Sequence, residues 1–173
     1  MIRRIVVPLD GSKVAEAVLP HVQDLAKALG AELVLLRAIQ QGGLIQGRYV
    51  LPPEPAKLLA QEMERSALRY LDRVRDDLEK AGLKTQSVVV TGPVPESIID
   101  WASHNNADLI ALTSHGLGRA ARWVFGSVAD RLLQSSPVPL LVIRASQEIL
   151  AAQEEYEEEQ LDAALLKALQ ASS

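Results

Sequence analysis

Cysteine is absent from the 173 residues of the chain, and aromatic residues and long apolar runs are scarce. Without cysteine the chain forms no disulfide bond and no thiolate metal site, which fits a reducing compartment. Two Trp, three Tyr and one Phe leave the core to aliphatic side chains. The short apolar run near the start is stopped by Pro8 and Asp10, too early for a signal peptide or a membrane span. We therefore expect a soluble, cytoplasmic protein that does not enter a membrane.

Dense positive charge is missing as well. The net charge is -4, but residues 146–173 hold seven acidic residues against one base, Lys167, so residues 1–145 are close to neutral. Nucleic-acid binding requires a basic patch with interleaved aromatic residues, and neither part has one. We expect one α/β domain over residues 1–145, long enough to bury a core, an acidic tail over residues 146–173, and no nucleic-acid partner.

The motifs of several enzyme classes are also absent. The chain has neither a G-x-x-x-x-G-K-[ST] phosphate loop nor a G-x-G-x-x-G fingerprint after its first apolar run. His21, His104 and His115 lie far apart in the sequence without metal-ligand spacing, and no Ser or Thr stands in a nucleophile elbow. The sequence therefore favours binding over catalysis, with no catalytic residue and no metal site.

Five short runs rich in Val, Ile and Leu predict β-strands. They are RIVVP (4–8), ELVLLRAI (32–39), SVVVT (87–91), DLIALT (108–113) and PLLVIR (139–144). Three of them are almost continuously apolar, as strands are when both faces of a parallel sheet are covered.

Helical patterns separate these runs. The first begins after the cap residue Ser12 and ends at Gly30, and Pro20 inside it predicts a kink. The second spans residues 54–81, and its apolar face consists of Leu59, Met63, Ala67, Tyr70, Val74 and Leu78. Shorter helices are predicted over residues 95–105 and 127–134. This alternation predicts an open α/β sandwich with a parallel sheet and right-handed crossovers.

Two segments depart from the alternation. Residues 40–55 are rich in Gly and Pro and form either a mobile lid or, the alternative we prefer, a tolerated insertion. In the acidic tail, Leu161, Leu165 and Leu169 recur every four residues. This spacing predicts an amphipathic helix that docks on the domain or on a neighbouring subunit, with a frayed tail as the alternative.

Candidate binding residues follow the strands, because open α/β sheets bind ligands beyond the carboxyl ends of their strands. Asp10 follows the first strand, residues 38–41 the second, and residues 91–95 the third. Asp10 either accepts hydrogen bonds from a ligand or only shapes the Asp-Gly-Ser turn and caps the next helix.

The loop after the fourth strand has the features of a phosphate site. Nine residues separate Gly116 from Gly126, and Ser127 opens the fourth helix. A helix N-terminus offers unpaired N–H groups, and a preceding glycine lets a phosphate approach the backbone closely. Arg119 and Arg122, on the intervening loop, face either the phosphates or solvent.

The segments RIVVPLDGS, TSHGLG and FGSVADRLLQSSPVPLLVIR resemble the universal stress protein family, over residues 2–144. Nucleotide-binding members of that family carry G-x-x-G, nine residues and then G-[ST], and Gly116, Gly126 and Ser127 match the second half of this pattern. The resemblance implies a five-stranded parallel sheet in the order 3-2-1-4-5 with helices on both faces. It also implies a homodimer through the last strand, residues 138–144.

An adenine nucleotide, ATP or AMP with or without Mg, is the ligand that the resemblance implies, bound across the ends of strands one and four. The implied binding residues are Pro8, Leu9, Asp10, Ala38, Thr113, Ser114, His115, Gly116, Gly118, Arg119, Gly126, Ser127 and Val128. The implied function is a nucleotide-binding stress-response or signalling module, with at most slow ATP hydrolysis.

The chain departs from the family pattern inside the motif. Thr113 stands where the first glycine of G-x-x-G belongs, and Leu117 stands where the family often has a basic residue. One branch of the family lacks the glycine motif and does not bind ATP. The alternative function is therefore a non-nucleotide-binding interaction or chaperone-like dimer with a vestigial pocket.

Overall fold

A parallel sheet of five strands is the framework of the protein in the computed structural model. The structure describes residues 1–40, 44–45, 49–50, 53–114, 126–146, 148–152 and 156. Its strands are β1 (Arg4–Pro8), β2 (Glu32–Ile39), β3 (Leu44–Ile45), β4 (Tyr49–Val50), β5 (Thr85–Thr91), β6 (Leu109–Thr113) and β7 (Leu140–Ile143). Its helices are α1 (Lys13–Glu16), α2 (Leu19–Leu29), α3 (Pro53–Lys80), α4 (Val94–His104) and α5 (Ser127–Ser135).

The strand order of the large sheet is β5-β2-β1-β6-β7, and each neighbouring pair is parallel. Numbered along the chain, these five strands follow the order 3-2-1-4-5, so the predicted topology is confirmed. β1 lies in the middle, with Val6 opposite Val34 of β2 and Ile110 of β6. The chain builds one half of the sheet outward from β1 and then crosses to the other half. The switch point of the sheet is therefore beyond the carboxyl ends of β1 and β6.

Both faces of the sheet are covered by helices. Val6, Val34 and Ile110 pack on the side of α4 and α5, whereas Ile5 and Leu35 pack on the side of α1, α2 and α3. Successive residues of one strand point to opposite faces, and here both faces are apolar cores. This arrangement explains why the runs in the sequence are continuously apolar and do not alternate.

The segment after β1 contains two helices, so the prediction of one kinked helix is wrong. α1 ends at Glu16 and α2 begins at Leu19. Pro20 lies in the first turn of α2, where a missing N–H breaks no helical hydrogen bond. Gly30 ends α2 in the left-handed conformation, with φ 64°, as the sequence predicted.

α3 matches the predicted helix within one residue at each end but packs along only part of its length. Ala67, Leu71 and Leu78 are buried, whereas Leu59 and Met63 are 40% and 41% exposed. The predicted apolar face therefore enters the core from Ala67 onwards, and its first two members stay at the surface.

The two segments that interrupt the alternation are described in part. Within residues 40–55, Leu44 pairs with Val50 and Ile45 with Tyr49 as a short antiparallel ladder; residues 41–43, 46–48 and 51–52 lie outside the described residues. In the tail, residues 148–152 and Tyr156 are helical, and the other residues beyond 152 lie outside the described part. The lid or insertion, the boundary at residue 145 and the docked tail helix stay predictions. None of the helices in the described ranges has the length and apolar character to cross a bilayer.

Asp108 joins the starts of β1 and β6. Its Oδ2 accepts hydrogen bonds from the backbone N–H of Arg3 at 2.8 Å and of Arg4 at 3.0 Å. These two bonds hold the pKa of Asp108 below its ordinary value of 3.8. Because the carboxyl pKa of Asp108 is lower in the folded state, its ionised carboxylate stabilises the fold at pH values above its ordinary pKa. That contribution is lost as the pH falls through the lowered pKa.

We expect Asp108→Asn to lower the free energy of unfolding at neutral pH, because the amide lacks the charge that these two N–H groups stabilise. The difference from the wild type should shrink as the pH falls below 3.8, since the wild-type carboxyl then becomes neutral as well. Urea denaturation at pH 7 and at about pH 3 measures this difference. Asp24→Asn, at an exposed position of α2, is the matched control and should show no difference at either pH. A difference for Asp108→Asn that is equal at both pH values would contradict the prediction.

Candidate functional site

A pocket of about 260 Å³ opens at the switch point of the sheet, beside the N-termini of α4 and α5. Nine of the residues predicted from the sequence line it: Pro8, Leu9, Asp10, Ala38, Thr113, Ser114, Gly126, Ser127 and Val128. The other four, His115, Gly116, Gly118 and Arg119, lie outside the described residues, as do Leu117 and Arg122. The structure thus brings residues from four separate parts of the chain to one place, while their role in binding stays a prediction.

Apart from Val94, which lies in the candidate range 91–95, the residues of the apolar wall of this pocket were not predicted from the sequence. The wall consists of Ala15, Leu36, Val94, Ile98, Leu112 and Ala129. A signal was present for two of these residues, because Val94 and Ile98 are four residues apart on a helix that follows a strand end. Leu36 shares a face with Ala38, two residues on in β2, so the period of the strand would have found it.

The turn between β1 and α1 carries Asp10 and is held by its own hydrogen bonds. Oδ1 of Asp10 accepts from the backbone N–H of Ser12 at 2.9 Å and from its hydroxyl at 2.6 Å. The Ser12 hydroxyl oxygen in turn accepts from the N–H of Ala15 at 3.0 Å and caps α1. Asp10 therefore does shape the turn, and it also lines the pocket. Its part in the turn is shown, and hydrogen bonding between Asp10 and a ligand stays a prediction.

Arg37 supports this turn from the opposite face of the sheet. Gly11 has φ +92°, and a Cβ atom there would lie 3.0 Å from Nη1 of Arg37. The guanidinium carbon of Arg37 also lies 5.4 Å from the centre of the Tyr70 ring, within the range of a cation–π interaction. Glycine at position 11 is therefore required by its conformation and crowded by its neighbour. Arg37 could not be predicted from the sequence, because α3 and the turn meet it only in the folded protein.

The N-terminus of α5 supplies the donors of the pocket. Gly126 is the cap residue and has no side chain to cap the helix, and the N–H groups of Ser127 and Val128 have no acceptor within the helix itself. The helix dipole adds a partial positive charge at this end. Gly126 has φ -59° and ψ 154°, which any residue adopts, so its conformation does not demand glycine. The absent side chain instead leaves room for a ligand to reach the backbone.

Backbone hydrogen bonds fix the position of α5 relative to the sheet. The N–H of Gly126 donates to the carbonyl of Ser114 at 2.8 Å, and the N–H of Ser114 donates to the carbonyl of Ile143 at 2.8 Å. The start of α5 is therefore tied to the end of β6, and β6 to the end of β7. These bonds hold the helix N-terminus over the end of the strand that bears Thr113.

Thr113 lies in the pocket wall and is 5% exposed. Its side chain occupies space at the strand end that a glycine would leave to a ligand. The departure from the family pattern therefore falls inside the pocket and not beside it.

The chemistry of the pocket suits binding. Asp10 contributes carboxylate acceptors at the end of β1, α5 contributes backbone donors beyond β6, and an apolar wall lies between them. Burial and the nearby Glu16 raise the pKa of the Tyr70 hydroxyl, but Tyr70 packs in the core on the other face of the sheet. Among the described residues no group of three or more His, Asp or Glu could hold a metal ion.

The fold and the pocket together define an open α/β protein with a pocket at the switch point of its sheet. A model of the Universal stress protein family matches residues 1–144, and the chain belongs to that family. The Universal stress protein MJ0577 of Methanocaldococcus jannaschii is 25% identical over 83% of this chain and 96% of its own length. The solved structure of MJ0577 superposes with a TM-score of 0.73 and 26% identity, over 85% of this chain and 99% of that one.

Two further solved structures share the fold and contain adenine nucleotides. A universal stress protein in complex with cAMP superposes with a TM-score of 0.60 and 21% identity, over 84% of this chain and 98% of that one. A universal stress family protein of Arabidopsis thaliana with AMP bound has a TM-score of 0.60 and 14% identity, over 84% of this chain and 94% of that one. At these identities the two comparisons show the fold.

We expect Ser12→Ala to lower the free energy of unfolding by about 1–2 kcal/mol, because it removes the cap of α1 and the bond to Asp10. Urea denaturation measures the change. Ser66→Ala, at an exposed position within α3, is the control and should stay within about 0.5 kcal/mol of the wild type. The prediction fails if the two variants are equally stable.

Proposed function

We propose that this chain is a stress-response or signalling module that binds an adenine nucleotide, ATP or AMP, in the pocket at the switch point. The observation that carries the proposal is the N-terminus of α5, which begins after a glycine and lines the same pocket as Asp10. Free N–H groups at a helix start bind anions, and a carboxylate accepts hydrogen bonds from sugar hydroxyls or an exocyclic amine. A nucleotide has an anionic end, a polar sugar and an apolar ring. These match the N–H groups at the start of α5, the Asp10 carboxylate and the apolar wall of the pocket.

The proposed ligand spans the pocket from β2 to α5. Asp10 and the backbone near Pro8, Leu9 and Ala38 hold the adenine and ribose end, beside the apolar wall. Ser114 and residues 126–128, with the glycine motif of the preceding loop, hold the ribose and phosphates. Mg²⁺, where present, would accompany the phosphates and not a protein metal site.

Family membership supports the proposal. The relatives with bound cAMP and AMP have this fold. The superposition with this chain covers more than nine-tenths of the length of each of them. The chain has neither a phosphate-loop motif nor a nucleophile elbow, so we propose binding with at most slow hydrolysis. A cytoplasmic location, suggested by the lack of cysteine, is part of the same proposal.

Gly126→Glu should abolish nucleotide binding, because its side chain would fill the space beside the helix start and its charge would compete for the N–H groups. Loss of even one charge-assisted phosphate contact costs roughly 1.5–3 kcal/mol, about ten- to a hundredfold in affinity. Calorimetric titration of nucleotide-free protein with ATP and AMP measures this, and circular dichroism checks folding. Ser135→Glu adds the same charge at the other end of α5 and should bind as the wild type does.

The vestigial-pocket alternative rests on Thr113, which fills part of the pocket. Titration of Thr113→Gly separates the two functions. Under the proposed function the variant binds as tightly as the wild type or more tightly, since a branched side chain beside the ribose is removed. If the wild type shows no heat of binding up to millimolar ATP while Thr113→Gly binds, the ligand-free dimer is the correct function.

We also propose a homodimer that forms through β7. The carbonyls of Pro139 and Ile143 accept from N–H groups of β6, so Leu140 and Val142 direct their backbone groups to the open edge of the sheet. The side chains of β7 are only half-buried. An open apolar edge is commonly paired in natural proteins, and a two-fold mate would satisfy it.

We expect sedimentation equilibrium at micromolar concentration to show a dimer for the wild type. Val142→Pro removes an outward N–H without touching the bonds to β6, so it should shift the equilibrium to the monomer. A wild-type monomer would refute the proposed interface, as would a Val142→Pro variant that stays fully dimeric and folded.

A further inference from the structure

A groove of about 490 Å³ lies on the face of the sheet opposite the nucleotide pocket, between α2 and α3. Leu19 of α2 and Tyr70, Val74 and Leu78 of α3 form its apolar lining. Tyr156, from the helical start of the acidic tail, also lines it. The tail of this chain therefore already reaches the groove at one residue.

The apolar surface of α3 continues beyond the end of the groove, toward the N-terminus of the helix. Leu59 and Met63 precede Tyr70 by eleven and seven residues, and this spacing places them on the same side of the helix. Both side chains are about 40% exposed, within the half of α3 that does not enter the core. An exposed apolar stripe on a long helix is typical of a surface that packs against another segment or protein.

The chain beyond Tyr156 has the length and spacing to cover this stripe. Residues 157–173 would form a helix of about 25 Å at about 1.5 Å per residue, and the distance from Tyr70 to Leu59 along α3 is about 17 Å. Leu161, Leu165 and Leu169 recur every four residues and give this helix one apolar side. If the helix of residues 157–173 runs antiparallel to α3, its three leucines pass Tyr70 and then reach Met63 and Leu59.

The charges of the groove favour the same occupant. Glu16 and Asp77 in its walls are paired with Lys13 and Lys80, each at 2.9 Å, so their negative charge is compensated. Arg73, also in the wall, forms no ion pair within the described residues. It remains as a positive partner for an acidic segment.

Arg73 continues a basic row along α3. Arg65 and Arg69 precede it at intervals of four residues and lie progressively further around the helix from the apolar stripe, and Arg69 is bonded to Glu62 at 2.7 Å. Residues 157–159 of the tail are three consecutive glutamates, next to the residue that lies in the groove. Arg73 is the member of this row that lies in the groove wall, and its attraction to these glutamates is modest in water.

We propose that residues 157–173 dock within their own chain as a helix antiparallel to α3, with Leu161, Leu165 and Leu169 over Met63 and Leu59. The surface is an intramolecular docking site for the acidic tail, and it does not depend on nucleotide binding.

Amide hydrogen exchange of the full-length protein tests the docking. Amides of residues 157–169 should exchange at least about tenfold more slowly than in an unstructured peptide of the same sequence. Met63→Glu should bring them to the peptide rate, because it places a charge under the leucines and repels the glutamates. Leu68→Glu makes the same kind of change on the other side of α3, at a position 36% exposed, and should leave the protection intact. Peptide-like exchange in the wild type, or protection that survives Met63→Glu, would overturn the proposal.

The absence of native cysteine provides the test that distinguishes docking within one chain from docking on a second copy. In the double variant Met63→Cys with Leu165→Cys, a short bis-maleimide should link the two thiols within a single chain, seen as a product of monomer mass. Leu68→Cys with Leu165→Cys should remain unlinked. A product of twice the chain mass would overturn the proposal in favour of a neighbouring subunit, and no product at all would overturn the antiparallel alignment.

Discussion

The pairing of β1 with β2 on one side and with β6 on the other is the constraint on which the structure depends. β1 is the central strand, and its residues Ile5, Val6 and Val7 are fully buried between two layers of helices. Because β1 is central, its end at Pro8 and the turn after it lie between the ends of β2 and β6. Asp10 and the start of α5 meet in one pocket for this reason, although more than a hundred residues separate them.

The sequence predicted the sheet well because burial on both faces leaves a strong pattern. Residues 4–8 and 32–39 were predicted as strands and are the observed bounds of β1 and β2. β5 begins two residues before its prediction, at Thr85, since polar residues at a sheet edge pair with β2 as well as apolar ones do. Periodicity detects side chains that are shielded, and it does not detect backbone pairing by polar residues.

The failures of prediction have tertiary causes. The helices α1 and α2 share one continuous apolar pattern in the sequence. Only the folded chain shows that α1 is a separate short helix after the end of β1. Arg37 gave no signal because its contacts, Gly11 and Tyr70, come from other parts of the chain. Leu59 and Met63 share the apolar face of α3 by spacing, as predicted, but within the described residues they are not buried.

α1 lies between the pocket at the switch point and the groove beside α3. Ala15 lines the pocket at the switch point, and the adjacent Glu16 lines the groove beside α3. A helix of four residues has little stability of its own, so its position is set by the Ser12 cap and by the contacts on its two sides.

The hydrogen bond from Gly126 N–H to the Ser114 carbonyl has a consequence for how this chain tolerates change. It brings the two ends of residues 115–125 together at the sheet, so the number of residues between them does not alter the distance that they span. The entropy of closing a loop grows only slowly with its length, so insertions and deletions there cost little stability. Strand order, helix position and the start of α5 are thereby held by bonds that lie outside residues 115–125.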